Sequence, residues 1–275
     1  MKNILTIMNY TLREAVSRKV FLAFFIISTI TILGFLFVFS MYPVTQLIPP
    51  DVPKDGKPGT PYFVILTGFL MTPIVSISTL GLLLSVFATS GLITSVMERG
   101  TVDLFLSKPV SRIQLMSGRI AGSLLMVLIN LLYLITGIWL IFSLFTGFYN
   151  WYMLTTILWI FYTFMALFGI IVLLGVITKS SVPGMMSAYF IYIIGSPVLM
   201  KKESIFEMIS AGPVVKGIIN GFYYIVPQTD GIMSKVMFPL LMEGKIVSYE
   251  PLIQSGILLL VFLGIALFIF EKKEL

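Results

Sequence analysis

The side chains that most often do chemistry in proteins are missing from this sequence. The chain has neither His nor Cys, which excludes thiolate nucleophiles, disulfides, serine–histidine triads and H-E-x-x-H metal sites. A phosphate-binding loop of the form G-x-x-x-x-G-K-[ST] is missing too, because neither Gly56-Lys57 nor Gly244-Lys245 is followed by Ser or Thr. We therefore expect that the chain is not an enzyme and that it binds no metal or cofactor itself.

The composition predicts a membrane protein. Hydrophobic residues make up 58% of the chain and charged residues only 11%, whereas soluble domains carry about 25% charged residues. A transmembrane helix needs about 20 mostly apolar residues. The sequence therefore predicts an all-α integral membrane protein with one transmembrane domain over residues 1–275. Its six spans are expected at about 20–42, 74–97, 120–146, 152–178, 182–200 and 252–270.

Local sequence signals refine the prediction at three places along the chain. The charge-free run 120–178 is about twice the length of a span, and its turn is predicted at Thr146–Asn150, beside an aromatic belt that begins at Trp151. Pro73 interrupts the charge-free run 62–97, so residues 62–72 are interpreted as an outer lead-in or a kinked extension. Residues 201–251 are expected to be an extracytoplasmic loop. We favour two short helices there, at or dipping into the outer surface, and the alternative is a re-entrant hairpin.

The distribution of basic residues predicts the orientation. An even number of spans places both termini on one side, and every arginine falls on that side: Arg13, Arg18, Arg99, Arg112 and Arg119. Cytoplasmic loops are enriched in Lys and Arg, so we expect a multi-pass protein of the cytoplasmic (plasma) membrane with both termini cytoplasmic. The net charge of +6 is explained by this bias, and we expect no nucleic-acid partner.

No Asp, Glu, Lys or Arg lies inside a predicted span. Such residues cost about 2.5–3.5 kcal/mol each on insertion scales and mark proton relays, ion pathways and voltage sensors. Their absence from the spans argues against a proton-driven transporter. Any transport would therefore take its energy from outside the membrane.

The polar segment 98–119 is expected to connect the second and third spans on the cytoplasmic side. Its apolar cluster at Val102 and 104–106 is too short to cross a membrane and lies among charged residues. Pro109 ends a helix there, and Ser111 can cap the next one. We therefore predict a short amphipathic coupling helix, which can transmit the motion of a soluble partner to the adjoining spans. The alternative is an ordinary interfacial loop whose arginines anchor helix ends.

This segment resembles the signature of the ABC type-2 permeases, E-[RK]-G-T-…-L-S-x-P-V-S-R-…-G-[KR]. The matching positions are Glu98, Arg99, Gly100, Thr101, Leu106, Ser107, Pro109, Val110, Ser111, Arg112, Gly118 and Arg119. More specifically, the chain resembles the branch associated with multicopper-enzyme maturation, typified by the nitrous oxide reductase maturation permease. The segment Tyr224–Gln228 and the ending Phe270–Leu275 also resemble that branch.

The resemblance implies the membrane-spanning subunit of an ABC transporter, with two ATP-binding subunits, a second permease copy, and ATP and Mg bound by the ATPase. It implies export of a substrate or its extraction from the membrane. The residues implied in ATPase coupling are Glu98, Arg99, Gly100, Thr101, Asp103, Leu104, Ser107, Pro109, Val110, Ser111 and Arg112. An alternative is a mechanotransmission subunit, which relays ATPase motion to a periplasmic partner at 201–251 and translocates nothing.

Two further helix faces are predicted from spacing. Apolar residues recur at helical intervals in the amino-terminal segment, which predicts an amphipathic interfacial helix on the lipid bilayer. In the family this helix also helps to hold the ATPase, and the residues implied are Leu12, Arg13, Glu14 and Arg18. Small residues stripe the second span at Gly81, Ser85, Thr89, Ser90 and Thr94. Such stripes favour close helix packing, here expected against another helix or across a dimer interface.

Overall fold

In the part of the chain that the structure describes, the protein is built from helices. The computed structural model describes residues 2–17, 19–41, 52, 57–97, 111–208, 210 and 212–273, and no strand occurs among them. The helices are α1 (Lys2–Ser17), α2 (Val20–Met41), α3 (Pro61–Thr94), α4 (Arg112–Thr146), α5 (Tyr152–Thr178), α6 (Ser181–Phe190), α7 (Ser196–Met200), α8 (Lys202–Met208), α9 (Pro213–Ile225), α10 (Thr229–Ile232), α11 (Phe238–Glu243) and α12 (Glu250–Lys272). Single π-helical turns, Ile191–Gly195 and Met233–Met237, join α6 to α7 and α10 to α11.

Six stretches of the described chain are long and apolar enough to cross a membrane. They are Phe21–Met41, Ile74–Met97, Arg112–Thr146, Tyr152–Thr178, Ser181–Met200 and Glu250–Lys272. This confirms the predicted all-α class and the prediction of six candidate spans.

Local chemistry explains where the longest helices begin and end. The Ser111 hydroxyl accepts a hydrogen bond from the Gln114 backbone N–H (3.2 Å), and the Gln114 side chain accepts one from the Ser111 N–H (3.4 Å). This capping box starts α4, as expected for Ser111. Gly147 ends α4 in the left-handed conformation, with φ of 66°, which glycine adopts at little cost.

The second candidate span, Ile74–Met97, has the predicted bounds. α3 runs as one helix from Pro61 to Thr94, across Pro73, so residues 62–72 continue the helix of this span. With a rise of about 1.5 Å per residue its 34 residues extend to about 51 Å. A hydrocarbon core is about 30 Å thick, so part of α3 extends beyond it.

The spans divide into an inner and an outer set. Between 50% and 67% of the residues in the most apolar windows of α3, α4 and α5 are buried, against 11% in α2 and α12. A buried pair at mid-span ties α2 to α4, because Ser28 and Asn130 hydrogen-bond each other. The three inner helices therefore form the core, and the outer ones offer their surfaces to lipid or to other chains.

Part of the 201–251 region belongs to this core. Ile232, Val236, Met237 and Leu241 are buried, where the helix formed by α10, its π-turn and α11 packs against α3 and α5. α9, in contrast, exposes most of its apolar side chains, Val214 and Ile218 among them. The region thus contains both an exposed helix, α9, and a helix that is built into the bundle.

Candidate coupling site

Most of the residues implied in ATPase coupling lie outside the described residues. These are Glu98, Arg99, Gly100, Thr101, Asp103, Leu104, Ser107, Pro109 and Val110, and Arg18 is outside as well. The structure does describe the residues on both sides, up to Met97 and from Ser111 onwards. The described part of the site therefore consists of the contacts made just before residue 98 and just after residue 110.

The end of the bundle where α1, Ser111 and Lys273 lie is called the terminal face, and the opposite end, with α8 to α11, the distal face. At the terminal face α1 packs along the first turns of α4. Two glycines of α4 permit this approach. A Cβ atom at Gly118 would lie 2.7 Å from the Ile7 Cβ, and one at Gly122 would lie 2.6 Å from the Thr11 Cβ. No larger residue fits at either position unless α1 moves.

The stripe of α1 that faces α4 is formed by its buried residues Ile7, Thr11 and Ala15. Among the residues implied by the resemblance, Leu12 is half-buried and Arg13 is exposed. The spacing G-x-x-x-G at Gly118 and Gly122 is a known signal of close helix packing, and it could have located this contact.

A buried ion pair fastens α1 to the bundle. Arg119 of α4 donates through Nη1 to the Glu14 Oε2 of α1, and the Arg119 side chain is 0% exposed and that of Glu14 12%. The Ser95 hydroxyl, just after α3, donates to the Glu14 Oε1 at 3.1 Å. The Tyr10 ring lies 5.4 Å from the Arg119 guanidinium carbon, within cation–π range. Glu14 thus connects α1, α4 and the end of α3.

The sequence analysis gave Arg119 no such role. It placed the residue at the end of the cytoplasmic polar segment, whereas the structure buries it completely under α1. Desolvating a charge is costly unless the charge is paired, so the partner Glu14 is what makes this position possible.

A second set of contacts joins three helix ends around Lys273. Arg112 Nη1, in the first turn of α4, donates to the Lys273 carbonyl oxygen. The Lys273 ammonium donates to the carbonyls of Val176 (2.6 Å) and Ile177 (3.1 Å), near the end of α5. A cation at this position satisfies carbonyls that lack intrahelical partners. Burial, with a smaller effect of Lys179, lowers the pKa of Lys273.

The two sets of contacts lie on either side of residues 98–110, called the coupling segment below. Ser95 lies shortly before residue 98, and Ser111 and Arg112 come directly after residue 110. A displacement of residues 98–110 would therefore act on α1 and α3 through Glu14, and on α5 and α12 through Lys273. The contacts connect the ends of α1, α3, α4, α5 and α12.

The predicted small-residue stripe lies in the interior of the single chain. Gly81, Ser85 and Thr89 are all buried, and the Ser85 and Thr89 hydroxyls donate to carbonyls one turn earlier at 2.6 and 2.7 Å. At the end of this stripe α3 comes close to α5, where a Cβ at Gly175 would lie 3.3 Å from the Thr94 Cγ2. A contact of this stripe with a second copy stays a prediction.

Six apolar helices, with a charged joint at one end of the bundle, define a multi-pass α-helical membrane protein. The family model of the ABC-2 family transporter proteins matches residues 5–275, and the chain belongs to this family. No match was found among curated proteins. The predicted ABC type-2 permease class is thus confirmed, and the maturation branch stays a prediction. Permeases of this family generally work with an ATP-binding subunit.

Proposed function

We propose that this chain is the permease subunit of an ABC transporter of the cytoplasmic membrane. It couples ATP hydrolysis by a separate ATPase to the export of a substrate or its extraction from the membrane. The assembly contains two ATPase subunits and two permeases, with the terminal face towards the cytoplasm. ATP and Mg²⁺ bind to the ATPase, because this chain has no phosphate-binding loop of its own.

The observation that carries the proposal is the pair of anchors on either side of residues 98–110. ATP-driven closure of the ATPase dimer pushes on the coupling segment. Because Glu14, Arg119 and Ser95 connect α1, α3 and α4, and Lys273 connects α5 and α12 to Arg112, the push moves these helix ends together. Packed helices transmit such shifts because a close-packed interior deforms little.

Purification of the tagged chain from its native membrane in mild detergent tests the assembly. Mass spectrometry is expected to find a stoichiometric companion with a G-x-x-x-x-G-K-[ST] loop. If the chain emerges alone at every detergent strength, the proposed assembly is wrong.

The coupling role has its own test in that complex. Glu98→Ala and Arg99→Ala are expected to leave the companion bound while the ATPase rate no longer depends on the permease. Lys245→Ala, which removes a charge from an exposed residue of the distal face, is the control. Wild-type coupling in both variants would exclude the role of this segment.

A second candidate function is relay of the ATPase motion to a periplasmic partner. The exposed apolar residues of α9 favour it, since Val214, Ile218 and Phe222 are each more than half exposed. Under this proposal residues 201–251 dock the partner, and nothing is translocated. An additional periplasmic companion in the same purification supports the relay, and its absence favours transport.

A further inference from the structure

A cavity near the distal face has a mostly apolar wall that carries a few polar residues. Its volume is about 280 Å³, and it lies between α3, the π-turn Ile191–Gly195 and the helix that begins at α10. Its polar lining groups are the Ser78, Thr79 and Tyr192 hydroxyls and the Asp230 carboxylate. All of them offer oxygen atoms, and no Lys or Arg is among the described residues that line the cavity.

The hydroxyl groups of the wall are held in place. The Ser78 hydroxyl donates to the Ile74 carbonyl at 2.6 Å, which leaves its oxygen lone pairs available as acceptors. The Thr79 and Tyr192 hydroxyls lie 3.2 Å apart in a hydrogen bond. The Tyr192 ring also lines the cavity, with Phe238 and the Met233 side chain. Aromatic side chains can attract cations through their faces, and the aliphatic residues of the wall suit an alkyl chain.

Asp230 supplies a charge that the sequence analysis did not expect inside the bundle. Its backbone N–H donates to the Ser196 hydroxyl at 2.9 Å, which fixes the start of α10 against α7. Within the described part of the chain its carboxylate has no hydrogen bond and no ion pair. Burial raises the pKa of Asp230, and the neighbouring Lys201 opposes this shift. A half-buried carboxylate on the cavity wall can form a charge-assisted hydrogen bond with a bound cation.

The backbone around the cavity is irregular on both sides. Both π-helical turns contribute to the wall, one through Tyr192 and Ile193 and the other through Met233. Isolated π-turns are rare and are found frequently at functional sites. Two of them around one cavity, in a chain whose other spans are regular α-helices, indicate that this shape is specified by the sequence.

We propose that this cavity binds a small organic cation, a protonated amine with a short apolar chain. The ammonium would donate hydrogen bonds to the Asp230 carboxylate and the Ser78 hydroxyl, and the alkyl chain would lie against Val75 and Met233. The cavity is slightly smaller than pockets for drug-sized ligands, which begin at about 300 Å³. The proposal does not rest on the coupling to an ATPase, because binding is measured without nucleotide.

Calorimetric titration of the purified full-length chain with n-butylammonium chloride tests this site. The wild-type protein is expected to show saturable binding, whereas 1-butanol and butyrate, of similar size, show none. Asp230→Asn is expected to weaken butylammonium binding at least about tenfold, the usual loss when a charge-assisted hydrogen bond is removed. Glu243→Gln, which removes an exposed carboxylate from the end of the same helix, is expected to bind like the wild type.

A second variant keeps the Asp230 charge and reduces the volume of the cavity. Val75 is 42% exposed at the cavity wall, so Val75→Phe fills the cavity without burying a strained side chain, and it is expected to weaken binding as well. The proposal is wrong if the wild type does not bind butylammonium, if 1-butanol binds equally well, or if Glu243→Gln loses as much affinity as Asp230→Asn. It is also wrong if Val75→Phe binds like the wild type, a result that remains decisive even if Asp230→Asn does not fold.

Discussion

The two ends of the bundle are held together by different chemistry. At the terminal face the contacts are charged: Glu14 pairs with the fully buried Arg119, and Lys273 donates to the end of α5. At the distal face the described residues of α8 to α11 form no ion pair, and the charged groups of Lys202 and Glu250 bond to neutral partners, Asn220 and Tyr223. The Gln254 amide donates to the Tyr223 carbonyl, and the Gln228 backbone N–H donates to the Ser255 hydroxyl at 3.0 Å.

This difference in contacts predicts how each of the two faces moves. Breaking a buried ion pair by removing one partner costs about 3–5 kcal/mol, whereas a neutral hydrogen bond contributes about 0.5–1.5 kcal/mol net. The terminal face is therefore expected to move as a unit, and the distal face to rearrange one contact at a time. A subunit that receives a push at one end and changes shape at the other needs this asymmetry.

The largest expected effect is at the ion pair. Arg119→Met removes the guanidinium and leaves the Glu14 carboxylate at the α1–α4 contact with Ser95 as a weaker partner. We expect a loss of about 3–5 kcal/mol in the free energy of unfolding, measured by titrating the protein from mild detergent into a denaturing one.

Two further variants show whether the pair itself is responsible. Arg13→Met removes an arginine from the exposed side of α1 and is expected to change the stability by less than about 1 kcal/mol. The double variant Glu14→Gln, Arg119→Met is expected to recover part of the loss, because no carboxylate is then left without its partner. Equal stability of Arg119→Met and Arg13→Met would contradict a rigid terminal face.

The next effect concerns the close approach of α1 and α4. Gly122→Val places side-chain atoms where the Thr11 Cβ would be 2.6 Å away, so α1 must shift. We expect a loss of about 1–3 kcal/mol and faster proteolysis within residues 2–17. Gly91→Ala is the control, because a Cβ at Gly91 meets nothing within 4 Å. If both variants resist protease like the wild type, the glycines are not needed for this contact.

The predictable part of the fold is the part that the membrane dictates. A hydrocarbon core demands about 20 apolar residues per crossing, so the spans can be counted from the long apolar runs along the sequence. Helix ends could be predicted where the chemistry is local, as at Ser111, whose hydroxyl meets an N–H three residues further on. Apolar runs and caps are both short-range features, which a single sequence displays directly.

The candidate site was less predictable because its contacts join distant parts of the chain. Glu14 and Arg119 are 105 residues apart, and nothing near either residue identifies the other. The short helices expected within residues 201–251 were placed at or dipping into the outer surface, whereas the helix from Thr229 to Glu243 is largely buried. Its burial depends on a groove between α3 and α5 that exists only in the folded bundle.

The smallest expected effect is at the distal face. Ser255→Ala removes the hydroxyl that accepts from the Gln228 N–H, a neutral and buried contact, and should cost about 0.5–1.5 kcal/mol. Local opening should show it best, as faster amide hydrogen exchange in residues 228–237 and unchanged exchange in α1. Ser248→Ala is the matched control, because the Ser248 hydroxyl accepts from the Glu250 N–H at 3.2 Å in an exposed position where water can replace it. If Ser255→Ala also speeds exchange in α1, the two faces are not independent, and the contrast between a rigid and an adaptable end is wrong.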